Sequence, residues 1–171
     1  MIFGRIPGLD KPASRVCQGT MMLSSERKEW SFELLDAVFE AGINTFDSAH
    51  VYGGGDCDRV FGEWVSRRDI RDEIVLMDKG AHHDASGQRV TPEDITADLN
   101  DCLDRLGFTS IDIFALHRDD PTQPVGPIIE ELNRHIAEGT IQACGASNWH
   151  HERIREANEY AASRGLKGFT V

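Results

Sequence analysis

The sequence predicts an α/β protein built on a parallel sheet, and two patterns carry that prediction. Six short segments rich in apolar or β-forming residues recur along the 171 residues, with stretches of helical period between them. The clearest of the six, Ile111 to Leu116 (IDIFAL), is almost continuously apolar rather than alternating, as strands are when helices cover both faces of a sheet. Right-handed βαβ crossovers repeated at about thirty residues each build either a doubly wound sheet or a (β/α)8 barrel. A third observation bears on that choice. VCQGTMM, at the first strand, carries one glycine, so the GxGxxG phosphate turn of a dinucleotide-binding doubly wound fold is absent.

Taken in order, the first strand is expected at Arg15 to Gly19. A helix follows over Trp30 to Ala41, where Leu34, Leu35, Val38 and Phe39 share one face and Gly42 stops it. The second strand is Asn44 to Phe46, a helix spans Val60 to Ser66, and the third strand is Ile74 to Met77. The clearest helix start is Thr91-Pro92-Glu93-Asp94. Thr91 can cap the first turn, Pro92 suits the first helical position, and the acids meet the positive dipole end. That helix runs to Leu106 before Gly107, burying Ile95, Leu99, Cys102, Leu103 and Leu106 and leaving Asp98, Asp101 and Arg105 to water. Beyond the fourth strand, Ile111 to Leu116, come a helix over Ile128 to Glu138 ending at Gly139 and the fifth strand, Gln142 to Ala146. A helix over His151 to Arg164 and a sixth strand, Gly168 to Val171, complete the pattern. The whole, residues 1–171, reads as a single domain.

A net charge of −11 argues against nonspecific affinity for nucleic acid or anionic membrane. No apolar run approaches the ~20 residues that span a bilayer. The opening MIFGRIPGLDKP lacks the apolar stretch of a secretory signal, so a cytoplasmic location is expected. Cys17, Cys57, Cys102 and Cys144 show no CxxC and no zinc spacing, and are expected to be buried, reduced thiols. Trp64 is expected in the core, and the basic cluster Arg67, Arg68 and Arg71 to be neutralised by flanking Asp69, Asp72 and Glu73 at a solvated helix end.

Polar residues end four successive apolar segments. INTFDSAHVYGGG places Asp47 at a strand end and Tyr52 in the loop beyond it. IVLMDKG then places Lys79, IDIFALH places His117, and CGASNW places Ser147 and Asn148. Such ends lie on the face where parallel α/β sheets bind ligands. In order and spacing the set resembles the aldo-keto reductase family, whose pattern is Asp and Tyr after strand two, Lys after strand three and His after strand four. The likeness runs from Gly19-Thr20 through Ser147-Asn148. It implies an incomplete (β/α)8 TIM barrel, with about five βα units plus a sixth strand, and NADPH-dependent reduction of an aldehyde or ketone with Tyr52 as general acid. It further implies that Ser147 and Asn148 bind the nicotinamide carboxamide, and that Thr20, Met21 and Asp47 line the nicotinamide ribose.

The residue types suit that chemistry. A carbonyl must receive a hydride at carbon and a proton at the developing alkoxide, and a phenol, with pKa ~10, is a poor acid at neutral pH. A nearby ammonium favours the phenolate. Lys79 can supply it, Asp47 can hold Lys79 in place, and His117 can hydrogen-bond and orient the substrate oxygen. Ser147 and Asn148 also suit a helix entry.

Two other readings compete. Metal-dependent barrel hydrolases use strand-end His and Asp, and His50, His82-His83-Asp84, His117 and His150-His151 are candidates. No HxH or HExxH spacing supports them, and no metal ligand is assigned. His82, His83, His150 and His151 are expected in solvated loops, with His82 and Trp149 within reach of a substrate loop. The other reading is a non-catalytic or assembly protein on a truncated barrel. A closed barrel takes ~250 residues, so the chain reads as a fragment whose cofactor phosphate site lies elsewhere. Its exposed barrel edges would allow a homo-oligomer.

Overall fold

The computed structural model describes every residue from Met1 to Val171. A short antiparallel hairpin, β1 (Phe3–Gly4) with β2 (Ala13–Ser14), precedes a five-stranded parallel sheet. Its strands are β3 (Cys17–Gly19), β4 (Thr45–Asp47), β5 (Val75–Gly80), β6 (Ile111–Leu116) and β7 (Ile141–Ala146). Between them run α1 (Lys28–Glu40), α2 (Asp56–Arg68), α3 (Pro92–Leu106) and α4 (Val125–Glu138), and α5 (His151–Arg164) follows β7. Each strand pairs with its sequence neighbours, in the order β3-β4-β5-β6-β7. A doubly wound sheet reverses its order at a switch point, and this one does not. The architecture is therefore a partial (β/α) barrel of five units. No helix is long and apolar enough to cross a membrane.

Local chemistry explains most of the element ends. Thr91 accepts the Asp94 N–H at 3.2 Å, Pro92 occupies the first turn, and Gly107 closes α3 at φ 69°. Helix α2 begins at Asp56, four residues before the apolar stripe announces it. Gly53, Gly54 and Gly55 all take positive φ, turning the chain so that Asp56 and Asp58 meet the positive end of the helix dipole. Helix α4 likewise starts early, at Val125, directly after Pro124.

The expected sixth strand does not form. Gly168 to Val171 has no regular ladder and makes two backbone hydrogen bonds with β7, Thr170 N to Cys144 O at 2.9 Å and Ala146 N to Val171 O at 3.0 Å. Two bonds without a repeating register are too few for a strand. The opening hairpin, in turn, is too short and too interrupted by Pro7, Gly8 and Pro12 to be read from pattern. Its turn carries Leu9, which with Ala13 covers the inward-facing Val75, Ile113 and Ala143 at the bottom of the sheet.

On the outer face, Phe46, Phe61 and Trp64 form an aromatic core with ring centroids 5.0 to 5.7 Å apart. Trp64 is fully buried and satisfies its indole N–H on Asp36 at 2.8 Å. Helices α2 and α3 touch backbone to backbone at Gly62, where an added Cβ would lie 2.1 Å from the Leu106 carbonyl oxygen.

Several surface expectations are corrected. Asp98 is buried rather than wet, because the Ala81 N–H, in a left-handed turn, requires an acceptor and finds its carboxylate at 2.8 Å. Arg67 and Arg68 are neutralised by Glu63 and Asp36 instead of their sequence neighbours, and Arg71 reaches the buried Asp112 at 2.9 Å. Cys57, Cys102 and Cys144 are buried free thiols, whereas Cys17, on the edge strand β3, is exposed.

Candidate active site

Strand register brings the anticipated residues together. Asp47 ends β4, opposite Gly19 of β3 and Met77 of β5, and Lys79 of β5 pairs with Ala115 of β6. His117 follows β6, its N–H donating to the Gly80 carbonyl at 2.8 Å, and the Ser147 N–H donates to Leu116 O at 2.8 Å. Tyr52 opens the glycine turn after β4. All stand at the C-terminal ends of the parallel strands.

Lys79 is the hub. Its buried ammonium donates to the Asp47 carboxylate and, at 2.6 Å, to the Ser48 carbonyl, and it lies 5.2 Å from the centroid of the Tyr52 ring. The His117 ring stands edge to face with Tyr52, 6.0 Å away. Burial, followed by the fields of Lys79, Arg118 and His82, pushes the basicity of His117 down, to a pKa of about 4. At neutral pH it is an uncharged imidazole. Its Nδ1 has no protein partner, so the protein does not fix its tautomer.

Behind the hub lies a polar cluster that the sequence reading did not single out. Thr20 is fully buried and donates to Ser48 Oγ at 2.9 Å, and Ser48 in turn donates to Asp58. Asp78 accepts the Lys79 N–H at 2.7 Å. One oxygen each of Asp58 and Asp78 has no partner, and these two carboxyls with the Cys102 thiol place potential ligand atoms within 4.8 Å of one another. Burial first, then repulsion from Asp78, raises the pKa of Asp58, and burial raises that of Asp78, so the pair holds on to protons above the ordinary carboxylate range. A sign of this cluster was present in the sequence: Asp78 interrupts the apolar run IVLM before Lys79.

The rim is formed by loops. Ala81 sits at φ 59°, held by Asp98, which is itself paired with Arg89. This turn lays the half-buried His82 edge-on against His117, 4.9 Å away, with His83 exposed beside it. His150 and His151 are exposed, and no three histidines bring ring nitrogens within 4.8 Å. Asn148, at φ 59°, donates from Nδ2 to the His117 carbonyl at 3.1 Å and to Ser147 Oγ at 3.0 Å, leaving Oδ1 without a protein donor. That free acceptor beside His117 fits the amide N–H of a carboxamide. Thr20 fits a ribose less well, because its hydroxyl is already committed inward, while Met21 beside it is 68% exposed. Trp149 is buried rather than free for substrate. It packs edge to face on Phe169 at 5.3 Å and donates to the Arg118 carbonyl at 3.0 Å.

Comparison with known proteins agrees with the fold. The model of the aldo/keto reductase family matches residues 15–166, and the chain belongs to that family. It is 30% identical to norsolorinic acid reductase A of Aspergillus parasiticus, over 96% of this chain and 47% of the relative. It is also 30% identical to an NADP(+) aryl-alcohol dehydrogenase of Phanerodontia chrysosporium, over 84% of this chain and 40% of the relative. Among solved structures, glycerol dehydrogenase of Gluconobacter oxydans superposes with a TM-score of 0.82 at 28% identity, covering 93% of this chain and 52% of that one. The chain thus spans about half the length of the curated relatives it matches. Family and fold together give a partial aldo/keto reductase barrel, of a family that generally uses NAD(P)H.

Proposed function

We propose that this chain carries the proton-donating half of an NADPH-dependent reduction of a small aldehyde or ketone to an alcohol, with Tyr52 as general acid. The observation that carries the reading is the placement of Lys79 between Asp47, the Ser48 carbonyl and the Tyr52 ring. The ammonium there stabilises the phenolate left when Tyr52 gives up its proton. Asp47 holds that ammonium in place. His117, uncharged at neutral pH, serves as a hydrogen-bonding partner of the carbonyl oxygen and orients it towards Tyr52.

NADPH, when bound, supplies the hydride. Ser147 and Asn148 are assigned to its carboxamide, and Met21 and Asp47 to its ribose, with Thr20, its hydroxyl turned inward to Ser48, backing that subsite. The choice of NADPH draws support from the NADP(+) named for the Phanerodontia chrysosporium relative. The relatives are about twice as long, which supports a division in which residues outside these 171 hold the phosphate end and the chain alone does not turn over. We also assign the protein to the cytoplasm and to small-molecule partners, with pairing through the sheet edges as a route to a homo-oligomer.

The test is NADPH consumption by the intact protein across a panel of aldehydes and ketones, compared with Tyr52→Phe. Turnover that collapses in the variant supports the reading. No turnover of any carbonyl, together with a monodisperse oligomer that ignores NADPH, would overturn it in favour of an assembly role.

A further inference from the structure

The chain is acidic overall, at net charge −11, yet the titratable side chains acting on His117 are all of basic type: Lys79, Arg118 and His82. Lys79 is committed to Asp47. The other two are not committed to any carboxylate. Arg118 uses one guanidinium N–H, Nη1, on the His117 carbonyl at 2.8 Å, and its Nε and Nη2 meet no protein acceptor. The acids beside it in sequence are occupied, Asp119 by Arg153 at 3.2 and 3.3 Å and Asp120 by Thr122 at 2.7 Å.

On the other side of His117, His82 Nδ1 lies 2.8 Å from the His83 carbonyl oxygen. A carbonyl only accepts, so Nδ1 is the donor and Nε2 is left without a partner. Both groups are fixed by the fold. The strained Ala81 turn, clamped by Asp98 and Arg89, sets His82, while the Asn148 and Trp149 side chains bind the His117 and Arg118 carbonyls and set the backbone of Arg118. An uncommitted, half-buried guanidinium fork held at the rim of a candidate site matches a carboxylate in shape and charge.

We infer that the rim of Arg118 and His82 receives a carboxylate, so that the substrate class is an aldehyde or ketone that also carries one. This rests on the carbonyl-reduction reading and narrows it. The competing use of the same groups is to keep His117 neutral, with no contact to substrate.

Two aldehydes of nearly equal shape separate these uses, 4-carboxybenzaldehyde and methyl 4-formylbenzoate. With the intact protein and NADPH, kcat/KM is expected to favour the acid over the ester, and the preference to shrink as salt is added. Arg118→Gln is expected to lower the acid-to-ester ratio roughly tenfold, mainly through KM of the acid, with Arg118→Lys in between. Equal kcat/KM on acid and ester in the unaltered protein overturns the inference. So does an Arg118→Gln variant that shifts the pH profile of both substrates alike without changing their ratio. Should neither aldehyde turn over, calorimetric binding of 4-(hydroxymethyl)benzoate against its methyl ester decides the rim separately. Binding of the acid that weakens in Arg118→Gln upholds the carboxylate site while the reduction reading fails. Equal binding of acid and ester, or none, sinks the site.

Discussion

The two ends of the parallel sheet treat buried charge in opposite ways. At the N-terminal end a single buried anion, Asp112, is met by two cations. Arg71 pairs with one oxygen at 2.9 Å, and Lys11 lies 2.7 Å from the other as an ion pair off the hydrogen-bond axis. The Leu76 N–H adds a hydrogen bond at 3.0 Å. At the C-terminal end the balance reverses. One buried cation, Lys79, faces Asp47, with Asp58 and Asp78 behind it, and oxygens of both and a nitrogen of His117 go unpartnered. A neutralised end has nothing left to exchange. An end with surplus carboxyls and an uncharged imidazole can take up, hold and release protons, which is where perturbed groups gather in working sites.

If the ends are divided in this way, substitutions at each should act on different observables. The largest effect is expected at the top, where Tyr52→Phe should lower kcat by about 10²- to 10⁴-fold, the scale of a lost general acid. Its thermal midpoint should match that of the unaltered protein. A comparable loss of stability would instead make Tyr52 a packing residue. At the bottom, Asp112→Ala leaves Lys11 and Arg71 without their anion and should destabilise the fold by about 3–5 kcal/mol in urea titrations.

A smaller effect, of opposite sense, is expected from the buried carboxyls at the top. Asp58 and Asp78 have their folded pKa values raised above those of the unfolded chain, so the folded state holds protons that the unfolded chain has released. Their stabilisation is complete below the ordinary carboxylate range and is lost as pH rises through the raised values. Chemical denaturation at pH 5 and pH 8 should show the loss, and Asp58→Asn should flatten it. A pH-independent midpoint would mean the pair is neutralised otherwise.

The least conspicuous effect concerns His117, whose folded pKa is depressed to about 4. Its contribution is present above the unfolded value of ~6.5 and is lost as pH falls towards the folded one. An NMR titration should find this ring uncharged from pH 7 to pH 5.

What could be read beforehand follows the same division. Asp47, Lys79 and His117 were legible because each is a polar group terminating an apolar run, and α3 because Thr91-Pro92 states its own start. Asp98 was not, because helical period places it at the wet margin of its stripe. The group that draws it inward is a backbone N–H, that of Ala81, exposed by a left-handed turn that no residue type announces. Arg71 was assigned to neighbouring acids because its partner, Asp112, looks like one polar residue in a buried strand until the sheet is assembled. Arg118 gave no signal for a similar reason. Its significance lies in the partners it lacks, and those are visible only in three dimensions.

The Lys79 hub has one further implication, for how the protein folds. Its ammonium ties together groups 31 and 32 residues away in sequence, and the next strand must dock before His117 joins them. A slip of one residue in β5 would point Lys79 to the opposite face. Long-range parallel pairing of this kind is slow to form. In a refolding experiment, catalytic competence should therefore return with the slowest phase, after helix content has recovered, making the site a clock for the alignment of three strands.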